Sequence, residues 1–286
     1  MNEQDFPALY RSADALSKQQ QAVFLISLGS HLLLLVIAAA LSVFYVASPA
    51  VAYAQAACLL LTVFLSIFIG YQKPDRIWYN ARAVAESVKT LTWRYMMRAE
   101  PFQATDETPL RDFQRKLREV LEQNQQALGL LSANLADRQI TEAIRLQRES
   151  PFEARKRIYI KERIDDQCNW YARKASFNRK RARIFFGALV LSNVVALSLS
   201  MYRIIEPAAQ FFPTDIFVAL SASLLTWIQG KRYSELAASY ALAAHEIGII
   251  RDQAVDVSES QFSVFVADTE NAFSREHTQW VARKDV

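Results

Sequence analysis

Glycine is scarce in this chain, with six in 286 residues alongside eight prolines. So few residues suited to tight turns exclude a turn-rich β architecture and favour long helices. Two cysteines, Cys58 and Cys168, lie in dissimilar surroundings, and histidine occurs three times. That supply excludes a disulfide framework and a Cys/His metal cluster, and no cofactor is expected. The most informative absence is charge. No Asp, Glu, Lys or Arg occurs between Lys18 and Lys73, within residues 184–202, or within residues 216–230. Elsewhere the chain is densely charged, with acidic and basic residues interleaved and a net charge of only +4. Interleaving of that kind argues against a nucleic-acid-binding face.

The uncharged runs are read as membrane spans. Residues 22–47 form 26 residues without formal charge, about 39 Å of helix against a hydrocarbon core of about 30 Å. After "SPA", residues 51–70 supply a second span, residues 184–202 a third, and residues 215–230 a shorter fourth. The small residues of "AVAYAQA" resemble a signal-peptide cleavage site, but the preceding run is too long and a second apolar run follows at once. The turn between spans one and two has no Lys or Arg, and that between three and four has only Arg203. The other ends carry Lys73, Arg76, Arg82, Arg179, Lys180, Arg181, Arg183, Lys231 and Arg232. Basic residues stay on the cytoplasmic side, so both termini and the middle segment are expected in the cytosol.

Each pair of spans is followed by an amphipathic helix. One stripe is Ile77, Ala81, Val84, Val88, Leu91 and Tyr95; the other is Leu236, Tyr240, Ala243, Ile247, Ile250 and Ala254. Both step by 4, 3, 4, 3 and 4, which is helical periodicity. The offset is 159 residues (236 minus 77), and the spans repeat at nearly the same offset, so the chain reads as an internal duplication. A helix from Ser150, capped by Ser150 and Glu153 with Pro151 in its first turn, is expected to continue unbroken towards Tyr202. Between the halves Leu110, Phe113, Leu117, Leu121, Asn124, Leu128 and Leu131 recur by threes and fours, a coiled-coil-like arm suited to a partner or a second subunit. The fold class expected is all-α: four transmembrane helices in two duplicated hairpins, with cytosolic amphipathic and coiled-coil-like helices. The boundaries expected are 1–99 for the first unit, 100–149 for the linker arm and 150–286 for the second unit.

Two stretches imitate enzyme motifs. "NAFSREHTQWVARK" places Ser274, Glu276 and His277 within four residues. Helical spacing puts Phe273, His277 and Trp280 on one face beneath Phe262 and Val266, and no glycine elbow accompanies the serine, so the stretch reads as a docking helix. "AAHEIG" lacks the second zinc ligand, because position 249 is isoleucine. No catalytic or metal residue is assigned. Within the spans, Ser27, Ser30, His31, Gln55, Thr62, Ser66, Asn193, Ser200, Ser223 and Thr226 mark a small or polar face. They are candidates for lining a wetted pore or for close helix packing, and the sequence leaves both open. Ile77, Trp78, Val84, Val88, Leu236, Tyr240 and Ile247 are candidate gating positions. Arg173, Lys174, Arg179, Lys180, Arg181 and Arg183 are candidate contacts for anionic headgroups or an anionic ligand.

Two closely spaced spans followed by "RAVAESVKTLTWRY" resemble the SLATT superfamily, the two-transmembrane effectors associated with SMODS and SLOG proteins. "RIDDQCNWYARKA", "YSELAASYALAAHEI" and "FSREHTQWVARK" are similar to a related subgroup, and "FPALYRSADALS" fits its tandem members. The resemblance implies a bacterial inner-membrane protein of anti-phage or other conflict systems, not an enzyme. It further implies a homo-oligomer that forms a pore when an upstream nucleotide signal, or its sensor protein, releases it. The lipid bilayer is then its constant partner. A non-conducting scaffold or sensor that recruits a partner through the cytosolic helices is the alternative.

Overall fold

A computed structural model describes residues 1–43, 49–124, 138–207 and 211–282, with side chains as far as Ser274 at the carboxyl end. Every regular element among the described residues is helical. A 3₁₀ turn, Glu3–Asp5, precedes α1 (Ala8–Val43), α2 (Pro49–Gln72), α3 (Pro74–Met96) and α4 (Thr108–Gln123). Then come α5 (Glu142–Glu149), α6 (Phe152–Tyr159), a π-helical segment (Ile160–Asp165) and α7 (Asp166–Ile205). The chain closes with α8 (Thr214–Lys231), α9 (Tyr233–Val255) and α10 (Glu259–Ala282).

The duplication is visible in the backbone. Helices α3 and α9 have 23 residues each and start 159 apart (233 minus 74). Each follows a left-handed residue, Lys73 at φ 45° and Arg232 at φ 49°, also 159 apart and neither a glycine. Such a backbone costs an L-residue about 1–2 kcal/mol, yet it lets the amide close the preceding helix. Lys73 N–H donates to Ile69 O at 3.0 Å, and Arg232 N–H to Ile228 O at 2.8 Å.

Among the described residues three helices are long and apolar enough to cross a membrane, carried by α1, α2 and α7. The fourth expected span, α8, has 18 residues and takes in Asp215 and Lys231 at its ends. At about 27 Å it falls slightly short of a hydrocarbon core of about 30 Å, and it is not among those three. Residues 152–205 are helical throughout, as expected, with the π turn inserted. The expected cap does not form. Ser150 Oγ donates to Gln147 O at 2.7 Å and so closes α5, leaving α6 to start at Pro151 with no side-chain cap. Pro151 is itself the N-cap residue, and its carbonyl accepts from the Ala154 and Arg155 amides at 3.1 and 3.0 Å.

The chain divides into two compact units. The first comprises residues 1–21, 75–172 and 242–286. Its centre holds Trp93, whose ring meets Phe6 at 6.3 Å and Tyr159 at 5.8 Å, and a cluster of Tyr95, Phe102 and Phe113. Ala81, Val84, Val88 and Tyr95 of the first stripe are buried, as are Ala243, Ile247 and Ala254 of the second. The stripe of α4 also turns inward: Phe113 and Leu117 are buried. Its last members, Leu128 and Leu131, lie outside the described residues.

The second unit, residues 22–74 and 173–241, has the reverse pattern. Most of the large exposed apolar side chains belong to it, among them Ile26, Leu61, Phe64, Ile67, Phe186, Leu191 and Leu197. Most of its buried residues are small or hydroxylated, among them Ser27, Ala38, Thr62, Ser192, Ala196, Ser221 and Ser223, with Leu32, Asn178 and Tyr233 among the larger exceptions. Water would oppose such a surface, whereas lipid tails are as apolar as leucine and leave the interior to small side chains that let helices approach.

Candidate functional site

The interior of the apolar unit is closed by polar atoms reaching to backbone carbonyls. Ser223 Oγ donates to Leu32 O at 3.4 Å, joining α8 to α1, and Ser192 Oγ donates to Phe217 O at 3.0 Å, joining α7 to α8. His31 Nδ1 is 3.3 Å from Thr62 O, and Gln55 Nε2 donates to Ala38 O at 3.3 Å, joining α1 and α2. A Cβ on Gly29 would stand 3.6 Å from the Trp227 ring, and one on Gly230 only 3.2 Å from Leu28.

The ten polar candidates divide between the two sides of this bundle. Ser27, Thr62 and Ser223 are buried; Ser30, His31 and Gln55 are half-buried. Ser66, Asn193, Ser200 and Thr226 are exposed. Three of these four bend back to their own helix: Ser66 to Thr62 O at 2.9 Å, Asn193 to Leu189 O at 3.0 Å and Thr226 to Ala222 O at 2.9 Å. Sequence reading passed over Ser192 and Ser221, which face inward. Of the gating candidates, Val84, Val88 and Ile247 are buried, while Ile77, Trp78, Leu236 and Tyr240 are half-buried. The basic candidates Arg173, Lys174, Arg179, Lys180, Arg181 and Arg183 are all exposed along the first half of α7, with Arg181 over the Phe177 ring at 5.3 Å.

The polar unit contains a second arrangement, which sequence reading missed. Arg163, in the π segment, is 1% exposed and pairs with Glu270 of α10, fully buried, through Nε–Oε1 at 2.9 Å and Nη2–Oε2 at 2.7 Å. Tyr159 donates its hydroxyl to Glu270 Oε1 at 3.1 Å, and the Phe273 ring lies 4.8 Å from the guanidinium. Burial opposes the Arg163 charge, but the Glu270 carboxylate outweighs it and holds the pKa above the usual value. Burial and then Glu270 push the Tyr159 hydroxyl up, so it stays a donor. A π turn inserts one residue into a helix and is frequent at functional positions; here the segment carries Arg163. The nearby "SREH" begins one turn after Glu270. Ser274 is half-buried, and the side chains of Glu276, His277 and Trp280 lie outside the described ones.

A further charge cluster joins α1 to α3. Asp14 accepts from Lys18 at 2.7 Å and from Arg82 at 3.3 Å, and Arg82 reaches Glu86 at 2.5 Å. Burial first, then Asp14 and Glu86, push the Tyr10 hydroxyl up to about 12. Lys89 is half-buried by area, yet its ammonium lies deep enough that burial, and then Arg163, hold its pKa below the usual 10.5. The unfolded chain therefore binds the Lys89 proton more tightly than the folded one. The cost is complete below the folded pKa and disappears as pH rises to the unfolded value. Lys89→Met is expected to raise stability at neutral pH by about 1 kcal/mol. The gain over the parent should shrink as pH approaches 10, which thermal unfolding of both proteins at a series of pH values measures.

These sites are built from close packing, hydrogen bonds to backbone carbonyls and charge pairing. Residues 7–156 match SMODS and SLOG-associating 2TM effector domain 3. Residues 159–280 match SMODS and SLOG-associating 2TM effector domain 1. The first match runs through the segment set apart above as a linker arm. No curated protein and no solved structure matches the chain. Domains of this type are two-transmembrane effectors associated with anti-phage systems, and the apolar helices agree with a membrane protein. The chain thus belongs to the SLATT superfamily, as a tandem member with two such domains in succession.

Proposed function

We propose that the protein is an effector of a bacterial conflict system that sits in the inner membrane with four spans and both termini in the cytoplasm. Several copies assemble into a pore that leaks ions when a nucleotide signal, or the protein that senses it, acts on the cytosolic helices. The observation that carries this reading is the pair of effector-domain matches on a chain whose second unit is apolar outside and hydroxylated inside. The fourth span is supported by the duplication, because α8 ends 159 residues after α2 (231 minus 72). The bias of Lys and Arg supports the orientation. Ser192, Ser221 and Ser223 are buried within one copy, which favours a conduit formed between copies or by rearrangement.

In this reading the helices after spans two and four transmit the signal, and the Arg173–Arg183 segment meets anionic headgroups or the ligand. Purified protein in dye-loaded or ion-loaded liposomes tests it. Flux that rises when a nucleotide activator is added supports the pore; none under any activator overturns it. Cross-links at Trp78 or Leu236 should change that flux if the amphipathic helices gate. The packed interior also favours a second reading, a non-conducting scaffold that recruits a partner through its cytosolic helices. That reading predicts membrane retention of the partner without flux.

A further inference from the structure

Helix α7 shows two faces within its apolar stretch. One, with Ser192 and Ala196, is buried in the bundle. The exposed remainder has Leu191, Val194 and Met201 on one flank and on the other a stripe of Phe186, Val190, Asn193, Leu197, Ser200 and Ile204, which step by 4, 3, 4, 3 and 4. All six are exposed, and the apolar four are between 45% and 79% exposed. A seam of that spacing is the surface along which two helices supercoil. Asn193 lies at its middle, nine residues from either end of the uncharged run 184–202. One amide hydrogen goes to Leu189 O; among the described residues the second hydrogen and Oδ1 have no partner, and neither has the Ser200 hydroxyl, seven residues on. At mid-bilayer neither lipid nor water supplies those bonds.

We infer that this seam packs against the same seam of a second copy, with the two Asn193 amides hydrogen-bonded to each other. A carboxamide offers both a donor and an acceptor, so it is complementary to itself across a two-fold axis. Copies of one chain insert in the same direction, which makes the two α7 helices parallel and sets Asn193 opposite Asn193. A polar residue in an otherwise apolar seam also fixes register, because any slip leaves both amides bare. The inference rests on the membrane reading and specifies the first contact of the proposed assembly.

Single cysteines placed in a Cys58→Ser, Cys168→Ser background test it, with oxidation carried out in membranes washed with alkaline carbonate. Leu197→Cys should give a cross-linked dimer, and Leu191→Cys, on the far side of the helix, should not. Adding Asn193→Leu should weaken dimerisation by about 3- to 20-fold, with Asn193→Gln retaining more of it. Equal cross-linking at positions 197 and 191, or an Asn193→Leu variant as dimeric as the parent, overturns the seam. A protein lost to the carbonate wash overturns the membrane reading instead, so the two failures are distinguished. Cross-linking to a different protein at position 197 also overturns the seam.

Discussion

Glu270→Ala is expected to unfold the polar unit at a much lower temperature, with a loss of about 3–5 kcal/mol. The carboxylate accepts from both Arg163 and Tyr159, and all three groups are buried. Removing it leaves the guanidinium without its hydrogen-bonded carboxylate, and Arg163 Nη1 is unpartnered even in the intact protein. An isolated buried charge costs far more than the pair contributes, so the partner's presence decides the result. Arg163→Met combined with Glu270→Leu should recover most of the loss, since apolar side chains of similar volume replace a buried pair at little cost. Trp93 lies 5.8 Å from Tyr159 and reports the transition by its fluorescence in the detergent-solubilised full chain. A Glu270→Ala loss below about 1 kcal/mol, the range of an exposed pair, would show that the cluster is hydrated.

Leu191→Asp should prevent the third span from entering the bilayer. Leu191 is 64% exposed on α7, two residues from the middle of the uncharged run. A leucine at the centre of a span favours insertion by about 0.3–0.6 kcal/mol, and an aspartate opposes it by about 2.5–3.5 kcal/mol. The expected change of about 3–4 kcal/mol exceeds what one span of modest apolarity absorbs. Glycosylation sites engineered on either side of α7 should then report the segment as untranslocated, with the first two spans unaffected. The same substitution at Ser192, one residue on, tests bundle packing instead, because that side chain is buried against α8.

Much of the helical layout was legible because helix periodicity and charge segregation are local properties. The matched stripes from Ile77 and Leu236 gave the 159-residue offset that the backbone repeats at Lys73 and Arg232. Rotation within a span was not legible. In a run where every neighbour is apolar, the contrast that marks a buried face in water is missing. Asn193 was therefore a candidate for pore lining or for packing alike; the helix turns Ser192 inward and leaves Asn193 exposed. The stripe of α4 gave a correct period and no direction: Phe113 meets Tyr95 at 4.8 Å inside the unit. Glu270 and Arg163 stand 107 residues apart, and no spacing rule connects two charges at that separation. Ser150 misled because a hydroxyl at a helix junction can serve the helix that ends as well as the one that begins.

The left-handed corners at Lys73 and Arg232 share a backbone and differ in what keeps them bent. Pro74 follows the first; its ring bars the preceding residue from the right-handed helical region, and its nitrogen has no hydrogen to offer. Tyr233 follows the second and keeps its amide hydrogen, and there side chains gather at the bend: Arg232 on Glu235 at 2.9 Å, Tyr233 stacked on Phe185 at 5.4 Å and Lys231 over the Tyr233 ring at 5.7 Å. Copying one stretch of chain into two has thus left a proline behind one bend and side-chain contacts behind the other.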